Sequence, residues 1–107
     1  MKVNIDTTAM KIILNAGNAR EEMKKALEAL VEDNEAEYFE RMKEAKEKIR
    51  TAHQCQTSTI QQQASGVELE INLLFIHAQD TLMTIMSEKN MIESMKLLYD
   101  KLKKSTY

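Results

Sequence analysis

The residues with the clearest chemical potential are a histidine and an aspartate, His77 and Asp80. They are three positions apart, so they share a face if the segment is helical. Histidine is a good nucleophile at neutral pH, and its ring nitrogen can hold a phosphoryl group. The pair alone has two interpretations: a phosphoryl-accepting site, or a histidine at the edge of the core that is hydrogen-bonded to a nearby carboxylate. The spacing by itself favours the second, structural interpretation.

A second combination that could do chemistry is His53 with Cys55. Residues two apart on a helix point to different faces. No second cysteine and no cluster of histidines completes a zinc ligand set. We therefore expect packed helix residues here rather than a metal centre. Because Cys55 is the only cysteine, an intrachain disulfide is excluded, and a reducing compartment is favoured.

The elements that must position these residues are helices. The chain has 107 residues, no Pro and 2 Gly, which predicts one domain over residues 1–107, disfavours an all-β fold and excludes a phosphate-cradling glycine loop. A net charge of -2 gives no broad electrostatic reason to bind nucleic acid. No apolar run is long enough to span a membrane, and the N-terminus has no hydrophobic signal core. These features predict a cytoplasmic helical protein.

The first helix is predicted from an apolar stripe that repeats every three or four residues over positions 5–30. Asp6, Thr7 and Thr8 offer oxygen atoms that could cap its N-terminus. The polar positions 32–34 contain no apolar member, so the helix should end there.

The second and third helices follow from the same periodicity. The second should begin near Asn34 and end at Gly66, a C-capping residue. The third should run from about Leu69 to about Lys104, with an irregularity expected around positions 87–90. Three amphipathic helices with short connections predict a compact, antiparallel all-α bundle.

The stripe of the second helix changes from apolar to polar at Gln56, Thr59 and Gln63. Buried amides need hydrogen-bond partners, so this end is expected to face a groove or a subunit contact. The third helix, by contrast, is apolar around much of its girth. Two partner helices cannot cover that surface, which predicts self-association into a closed, symmetric oligomer.

Two residue types leave alternatives open. Met23 and Met42 are expected in the core, because methionine at helical spacing is usually buried. Gly17 lies inside the first helix, where glycine costs about 1 kcal/mol relative to alanine. It indicates either close helix packing or room for a ligand or a partner.

Three stretches of this sequence resemble the enzyme IIA family of the lactose/cellobiose-type sugar phosphotransferase system. Residues 15–20 (NAGNAR) are similar to the NAG-x-AR segment of that family, and further similarities lie within residues 52–64. The third and most specific stretch is His-Ala-Gln-Asp at 77–80, followed by Leu-Met-Thr at 82–84. The similarity extends over nearly the whole chain.

The resemblance implies a three-helix bundle that assembles as a homotrimer. It implies that His77 accepts a phosphoryl group from the phosphohistidine of HPr and passes it to a cysteine of the enzyme IIB component. Gln79 would hydrogen-bond the phosphoryl group. Asp80 would lie near the trimer axis, where three carboxylates repel one another and either protonation or a hard cation such as Mg²⁺ would relieve the repulsion.

The implied function is that of a phosphotransferase component, a stoichiometric phosphohistidine carrier in the uptake of a β-linked disaccharide such as lactose or cellobiose. The alternative is a helical oligomerisation or adaptor module in which His77 and Asp80 form a buried polar pair. The sequence departs from the family pattern at Thr81, where a second histidine is usual, and at Gln63, where many members have an acidic residue.

Overall fold

The protein consists of three helices that together form a rod. The computed structural model describes residues 4–106 and contains α1 (Ile5–Val31), α2 (Glu35–Ala64) and α3 (Leu73–Thr106). Its principal extents are 60 × 19 × 19 Å. α1 and α3 run in the same direction and α2 in the opposite one, and α1 packs against both. The predicted all-α three-helix bundle is confirmed. Within the described range, no helix is long and apolar enough to cross a membrane.

The start of α1 differs from the prediction. The N-cap is Asn4, whose side-chain oxygen accepts a hydrogen bond from the backbone N–H of Thr7 at 3.1 Å. Asp6 and Thr8 already lie within the helix, so the prediction that they or Thr7 cap it is wrong. The physical reason is that Ile5 is buried, which draws the first turn onto the core and leaves capping to the residue before it.

The two ends of α2 are defined by residues that tolerate unusual backbone geometry or supply a cap. Asp33 adopts a left-handed φ of 56° in the tight turn before α2. Asn34 then caps the helix by accepting a hydrogen bond from the Glu37 N–H at 3.1 Å, as the predicted start near Asn34 requires. At the other end the C-cap is Ser65, and Gly66 follows with a φ of 96°. Gly66, predicted as the C-capping residue, therefore lies one position beyond the actual C-cap.

α3 begins later than its apolar pattern predicts. Residues 67–72 are not helical, and the helix starts at Leu73 rather than near Leu69. The side-chain oxygen of Asn72 accepts a hydrogen bond from the Phe75 N–H at 3.0 Å. This cap fixes the beginning of α3, whereas Leu69 packs against the core from the linker.

The irregularity predicted around residues 87–90 is wrong, because α3 is continuous there. Ile85 and Ile92 are buried on either side of that stretch. Between them, Glu88 accepts two hydrogen bonds from the Arg20 guanidinium, at 3.0 and 2.8 Å. Polar residues in this stretch therefore serve as surface links on an uninterrupted helix.

The core is built from small residues that let the helices approach closely. Met23 and Met42 are buried, as predicted, at 1% and 3% exposure. Alanines with no exposed surface supply much of the helix interface, and no buried side-chain nitrogen or oxygen among the described residues lacks a hydrogen-bond partner. These alanines are Ala9, Ala16, Ala19, Ala26, Ala45, Ala52 and Ala78.

The polar end of the α2 stripe is only partly outward-facing. Gln56 and Thr59 are buried within the chain, and the Thr59 hydroxyl donates a hydrogen bond to the Cys55 carbonyl at 2.9 Å. Gln63 is exposed. The expectation that this end faces a groove or a subunit contact is thus wrong for Gln56 and Thr59. For Thr59 the physical reason is that its hydroxyl is satisfied by its own helix backbone.

Candidate functional site

His77 lies in the second turn of α3 and is exposed. Its position is set by two neighbours that face the core, Phe75 at 2% exposure and Ala78 at 0%. Because those side chains are anchored in the core, the imidazole is directed outward from a fixed backbone. A second protein can therefore reach the ring without any rearrangement of the chain.

Asp80 lies on the same side of α3 and is also exposed. Nearby hydroxyls are used by the backbone: Thr81 donates to the His77 carbonyl and Thr84 to the Asp80 carbonyl, each at 2.8 Å. Both residues lie in the described part of the chain, and no hydrogen bond or ion pair joins their side chains. The structure therefore gives neither residue the burial or the pairing that the adaptor alternative requires within one chain.

Gln79 does not share the side of α3 on which His77 lies. The two residues are two positions apart, which on a helix corresponds to about 200° of rotation. Gln79 is half-buried, whereas His77 is exposed. The amide of Gln79 therefore lies on a different face of α3 from the imidazole of its own chain.

Three polar contacts fix the register of α1 against α3. The paired residues are 66 or 68 positions apart, so a residue of α1 lies level with the residue about 67 positions later. This places His77 level with Met10, which is 44% exposed. The three contacts are Asp6–Asn72, Arg20–Glu88 and Asp33–Tyr99.

The face of α3 turned away from the other helices divides into two segments of different chemistry. Residues of this face recur at spacings of three and four, the pattern of one helix stripe. The polar segment is formed by His77, Asp80, Thr84 and Ser87, all exposed. The apolar segment is formed by Met91, Met95, Leu98 and Leu102, which are 43% to 67% exposed.

Gly17 is not required by packing within the chain. It lies level with Thr84 in the register described above, and a Cβ atom placed on Gly17 would meet nothing within 4 Å. The interpretation as close packing inside the bundle is therefore wrong. Open surface at this point of α1 leaves space for a molecule outside the chain.

Metal ligands are not assembled by one chain. In the part of the protein that the structure describes, no three His, Cys, Asp or Glu side chains are grouped so that they could hold an ion. His53 is exposed and Cys55 is half-buried against the core, so the two point to different faces, as the spacing predicts. The expectation of a packed residue is met by Cys55 and not by His53.

A polar cluster at the C-terminal end of α3 escaped the sequence reasoning. Lys96 is 7% exposed and lies on the buried stripe, where its ammonium group contacts Glu35 at 3.1 Å and also pairs with Asp100. Three aromatic rings surround the ammonium group at 5.0 to 5.8 Å from its nitrogen, within the range of cation–π attraction. Those rings belong to Tyr38, Phe39 and Tyr99. The available signal was a lysine at a position where the stripe calls for an apolar residue.

The ionic state of this Lys96 cluster is stabilised by its own contacts. Burial alone would lower the pKa of Lys96, but hydrogen bonds to Asp100 and Glu35 outweigh burial and raise the pKa. Hydrogen bonds from Lys96 and then from Lys103 lower the pKa of Glu35. Both groups are therefore charged across the neutral range, and the cluster ties α3 to the start of α2.

Comparison with known proteins finds sequence similarity over most of the chain. The family described as "PTS system, Lactose/Cellobiose specific IIA subunit" matches residues 7–100. The lichenan-specific phosphotransferase enzyme IIA component of Bacillus subtilis (strain 168) is 34% identical over 102 residues, which cover 95% of this chain and 93% of that protein. The N,N'-diacetylchitobiose-specific EIIA component of Escherichia coli (strain K12) is 30% identical, with 92% of this chain and 85% of that protein covered.

A solved structure gives the same result for the fold. The PTS cellobiose-specific enzyme IIA from Bacillus anthracis superposes with a TM-score of 0.87. Its sequence identity to this protein is 40%, and the match covers 96% of this chain and 94% of that chain. At this identity and coverage, the likeness extends beyond the fold to the sequence pattern along all three helices.

Proposed function

The chain belongs to the lactose/cellobiose-specific IIA family of the sugar phosphotransferase system, and from this premise we propose that His77 is its phosphoryl acceptor. Proteins of this family are phosphocarrier components in sugar uptake. The observation that carries the proposal is the exposure of His77 on a well-anchored turn, with no side-chain partner among residues 4–106. The other histidine, His53, lies outside the His-Ala-Gln-Asp stretch.

In the first step, phosphorylated HPr is the donor. A lone pair on the neutral imidazole of His77 attacks phosphorus, a new P–N bond forms, and the P–N bond to the histidine of HPr breaks with its electrons returning to that ring. The donor and acceptor bonds are of the same kind, so the protein mainly has to bring the rings together in line. An exposed ring on a fixed helix meets that requirement.

In the second step, the acceptor is a cysteine of enzyme IIB. Its thiolate sulfur attacks the phosphorus held on His77, the P–N bond breaks, and a P–S bond forms. The thiol must lose its proton first, because the thiolate is the nucleophile. The His77 ring is returned to its neutral state and is ready for another phosphoryl group.

We further propose that the protein works as a homotrimer, built around the exposed face of α3. The apolar segment of that face, Met91 to Leu102, has the spacing that helices use to pack around a shared axis. Exposed apolar side chains in such a continuous row favour association. In this arrangement the amide of Gln79 would reach the phosphoryl group on a neighbouring subunit's histidine, since it lies on a different face of α3 from the imidazole of its own chain.

The proposed axial cation, Mg²⁺, would be held by Asp80. One chain offers a single exposed carboxylate at this point, without any hydrogen bond to its side chain. Three copies would supply three carboxylates, the oxygen ligands that Mg²⁺ prefers, and the cation would offset their mutual repulsion. Replacing Asp80 with Asn should make trimer stability insensitive to a chelator, as measured by sedimentation with and without EDTA. Unchanged chelator sensitivity would remove the cation from this site.

The names of the relatives support a proposal for the sugar and for the compartment. The relatives above carry names that refer to lichenan and N,N'-diacetylchitobiose, and the solved structure's refers to cellobiose. We propose a β-linked disaccharide as the sugar whose uptake is driven, and the cytoplasm as the place of transfer. The sugar itself would be contacted by the membrane component of the system and not by this chain.

The test uses phosphoenolpyruvate, enzyme I and HPr with the purified protein, followed by intact mass measurement. We expect one acid-labile phosphate per wild-type chain, none on His77→Gln, and full modification of His53→Gln, the matched control. A wild-type chain that stays unmodified while HPr is phosphorylated would refute the proposal. Modification that survives His77→Gln would assign the phosphate to another residue.

A further inference from the structure

The first turn of α3 is joined to α1 by a single side-chain hydrogen bond. The Asn72 amide nitrogen donates to the Asp6 carboxylate at 2.6 Å. In the described part of the chain, no other side-chain hydrogen bond connects residues 66–80 to α1 or α2. The next polar link between α1 and α3 is Arg20–Glu88, and Glu88 lies about 16 Å beyond His77 along the helix axis.

The same asparagine has a second task in the helix itself. Its side-chain oxygen accepts a hydrogen bond from the backbone N–H of Phe75 and thereby caps α3. Phe75 lies two residues before His77. One side chain therefore both ends the linker and holds the helix start to α1. Because the amide is used at both ends, it adds a directional restraint on the rotation of the first turn of α3 to the packing of Phe75 in the core.

The surroundings give this contact little support. A cleft of about 870 Å³ opens between the linker and the start of α1, with Asp6 and Asn72 in its wall. Leu69 is the linker side chain that packs against the core. One side of the contact therefore borders open space, and the apolar packing around it comes from Ile5, Leu69 and Phe75.

Electrostatics explain why one partner is a carboxylate. α1 and α3 run in parallel and begin side by side, which brings two helix N-termini together. The N-terminus of a helix carries a partial positive charge, and a carboxylate in the first turn stabilises it. Asp6 is in the first turn of α1 and contacts the cap of α3, so its negative charge stabilises the N-termini of both helices.

We infer that Asp6 and Asn72 are positioning residues for phosphoryl transfer, because they set the direction of the imidazole of His77 through the first turn of α3. This inference rests on the proposed role of His77. Neither residue touches the phosphoryl group. Their effect is on the orientation of the ring toward an incoming donor, on which in-line transfer depends.

The experiment separates the interhelical contact from the helix cap. Aspartate caps helices as well as asparagine does, so Asn72→Asp preserves the cap but sets a second carboxylate against that of Asp6. The double variant Asp6→Asn with Asn72→Asp exchanges the two groups and restores one amide-to-carboxylate hydrogen bond with the same net charge. Asn34→Asp is the matched control, because Asn34 caps α2 and accepts from the Glu37 N–H in the same manner.

The measurements are the single-turnover rate of transfer from phosphorylated HPr and the hydrogen exchange of residues 73–78. We expect Asn72→Asp to slow transfer about tenfold, a modest part of the loss that misplacement of reacting groups can cause, and to speed exchange. The double variant should return to within about twofold of wild type. Asn34→Asp should remain within the same limit.

Each outcome bears on one statement. A normal rate for Asn72→Asp, or a slow double variant, overturns the positioning role, since the effect would then be absent or independent of the contact. If wild type accepts no phosphate, the role proposed for His77 fails. The contact is then judged by exchange alone, and unchanged exchange of residues 73–78 in Asn72→Asp overturns it.

Discussion

The two ends of α3 are held to the other helices in different ways. At the N-terminal end, one hydrogen bond from Asn72 to Asp6 lies beside an open cleft. At the C-terminal end, the Lys96 cluster combines ion pairs with three aromatic rings, and a further hydrogen bond joins Tyr99 to Asp33. The end that carries His77 is therefore held mainly by apolar packing with a single polar link, and the opposite end has many polar contacts.

The exposed face of α3 follows the same division. Its polar segment begins at His77, near the end with a single polar link to α1, and its apolar segment lies beside the Lys96 cluster. The polar links between the helices and the apolar surface of the proposed trimer are thus concentrated toward the C-terminal end of α3, whereas the fully buried Phe75, Leu82 and Ile85 hold its N-terminal half. The N-terminal half is left accessible for contact with other proteins.

The largest effect is expected from a charge within the apolar segment. Leu98→Glu places like charges together in the proposed trimer, which costs several kcal/mol, and should yield monomers in sedimentation experiments. Leu97→Glu is the matched control. Leu97 is 71% exposed and Leu98 63%, but consecutive residues are rotated by about 100° on a helix, so this variant should stay assembled. If Leu98→Glu remains trimeric, the apolar segment is not the assembly surface.

The next largest effect should come from the Lys96 cluster. Lys96→Ala removes a buried aliphatic stem, its cation–π contacts and its hydrogen bonds, and should lower the free energy of unfolding by about 2 kcal/mol. Lys96→Met keeps the stem and should lose about half as much. Urea denaturation measures both. Equal stability of Lys96→Ala and wild type would show that the Lys96 cluster does not stabilise this end of α3.

A smaller change of opposite sign is expected at Gly17, beside the polar segment. An added Cβ has free space there, so Gly17→Ala should raise the free energy of unfolding by about 1 kcal/mol through helix propensity alone. The measurement is urea denaturation of the isolated protein. Destabilisation would mean that α1 is packed more tightly at this point than the structure shows.

The smallest effect is the acid sensitivity of the Lys96 cluster. The pKa of Glu35 is lowered in the folded protein, by Lys96 first and Lys103 second. Its contribution to stability is therefore present above the ordinary glutamate pKa, near 4.3, and is lost as the pH falls through the lowered value. Wild type should lose more stability than Glu35→Gln on acidification below about pH 5. Parallel unfolding curves against pH would contradict this.

Much of this organisation could be predicted from the sequence. The apolar stripes located all three helices, because their spacing reflects which side of a helix is buried. The predicted starts of α1 and α3 are wrong, since the capping residue is the polar residue just before the first helical position. That position is set by packing in the core and not by the apolar spacing alone. At α3, the decisive residue is Asn72, not the apolar Leu69.

The site could be predicted in part for the same physical reason. Helical spacing predicts that His77 and Asp80 share a face, but it does not predict their exposure, and the role of His77 comes from the resemblance to the family. The Asp6–Asn72 contact and the Lys96 cluster could not be found in this way. They join residues far apart in the chain, and helical periodicity carries no information on such pairs.

The uniform separation of 66 to 68 residues between linked positions of α1 and α3 has a consequence for the order of folding. The link between Glu22 and Arg41 spans only 19 residues, and closing a short loop costs less chain entropy than closing a long one. The first two helices should therefore pair early, and α3 should dock last. Pulse-labelling by hydrogen exchange during refolding should show protection of α1 and α2 before α3. The imidazole of His77 would then reach its final position only when α3 docks, at the last stage of folding.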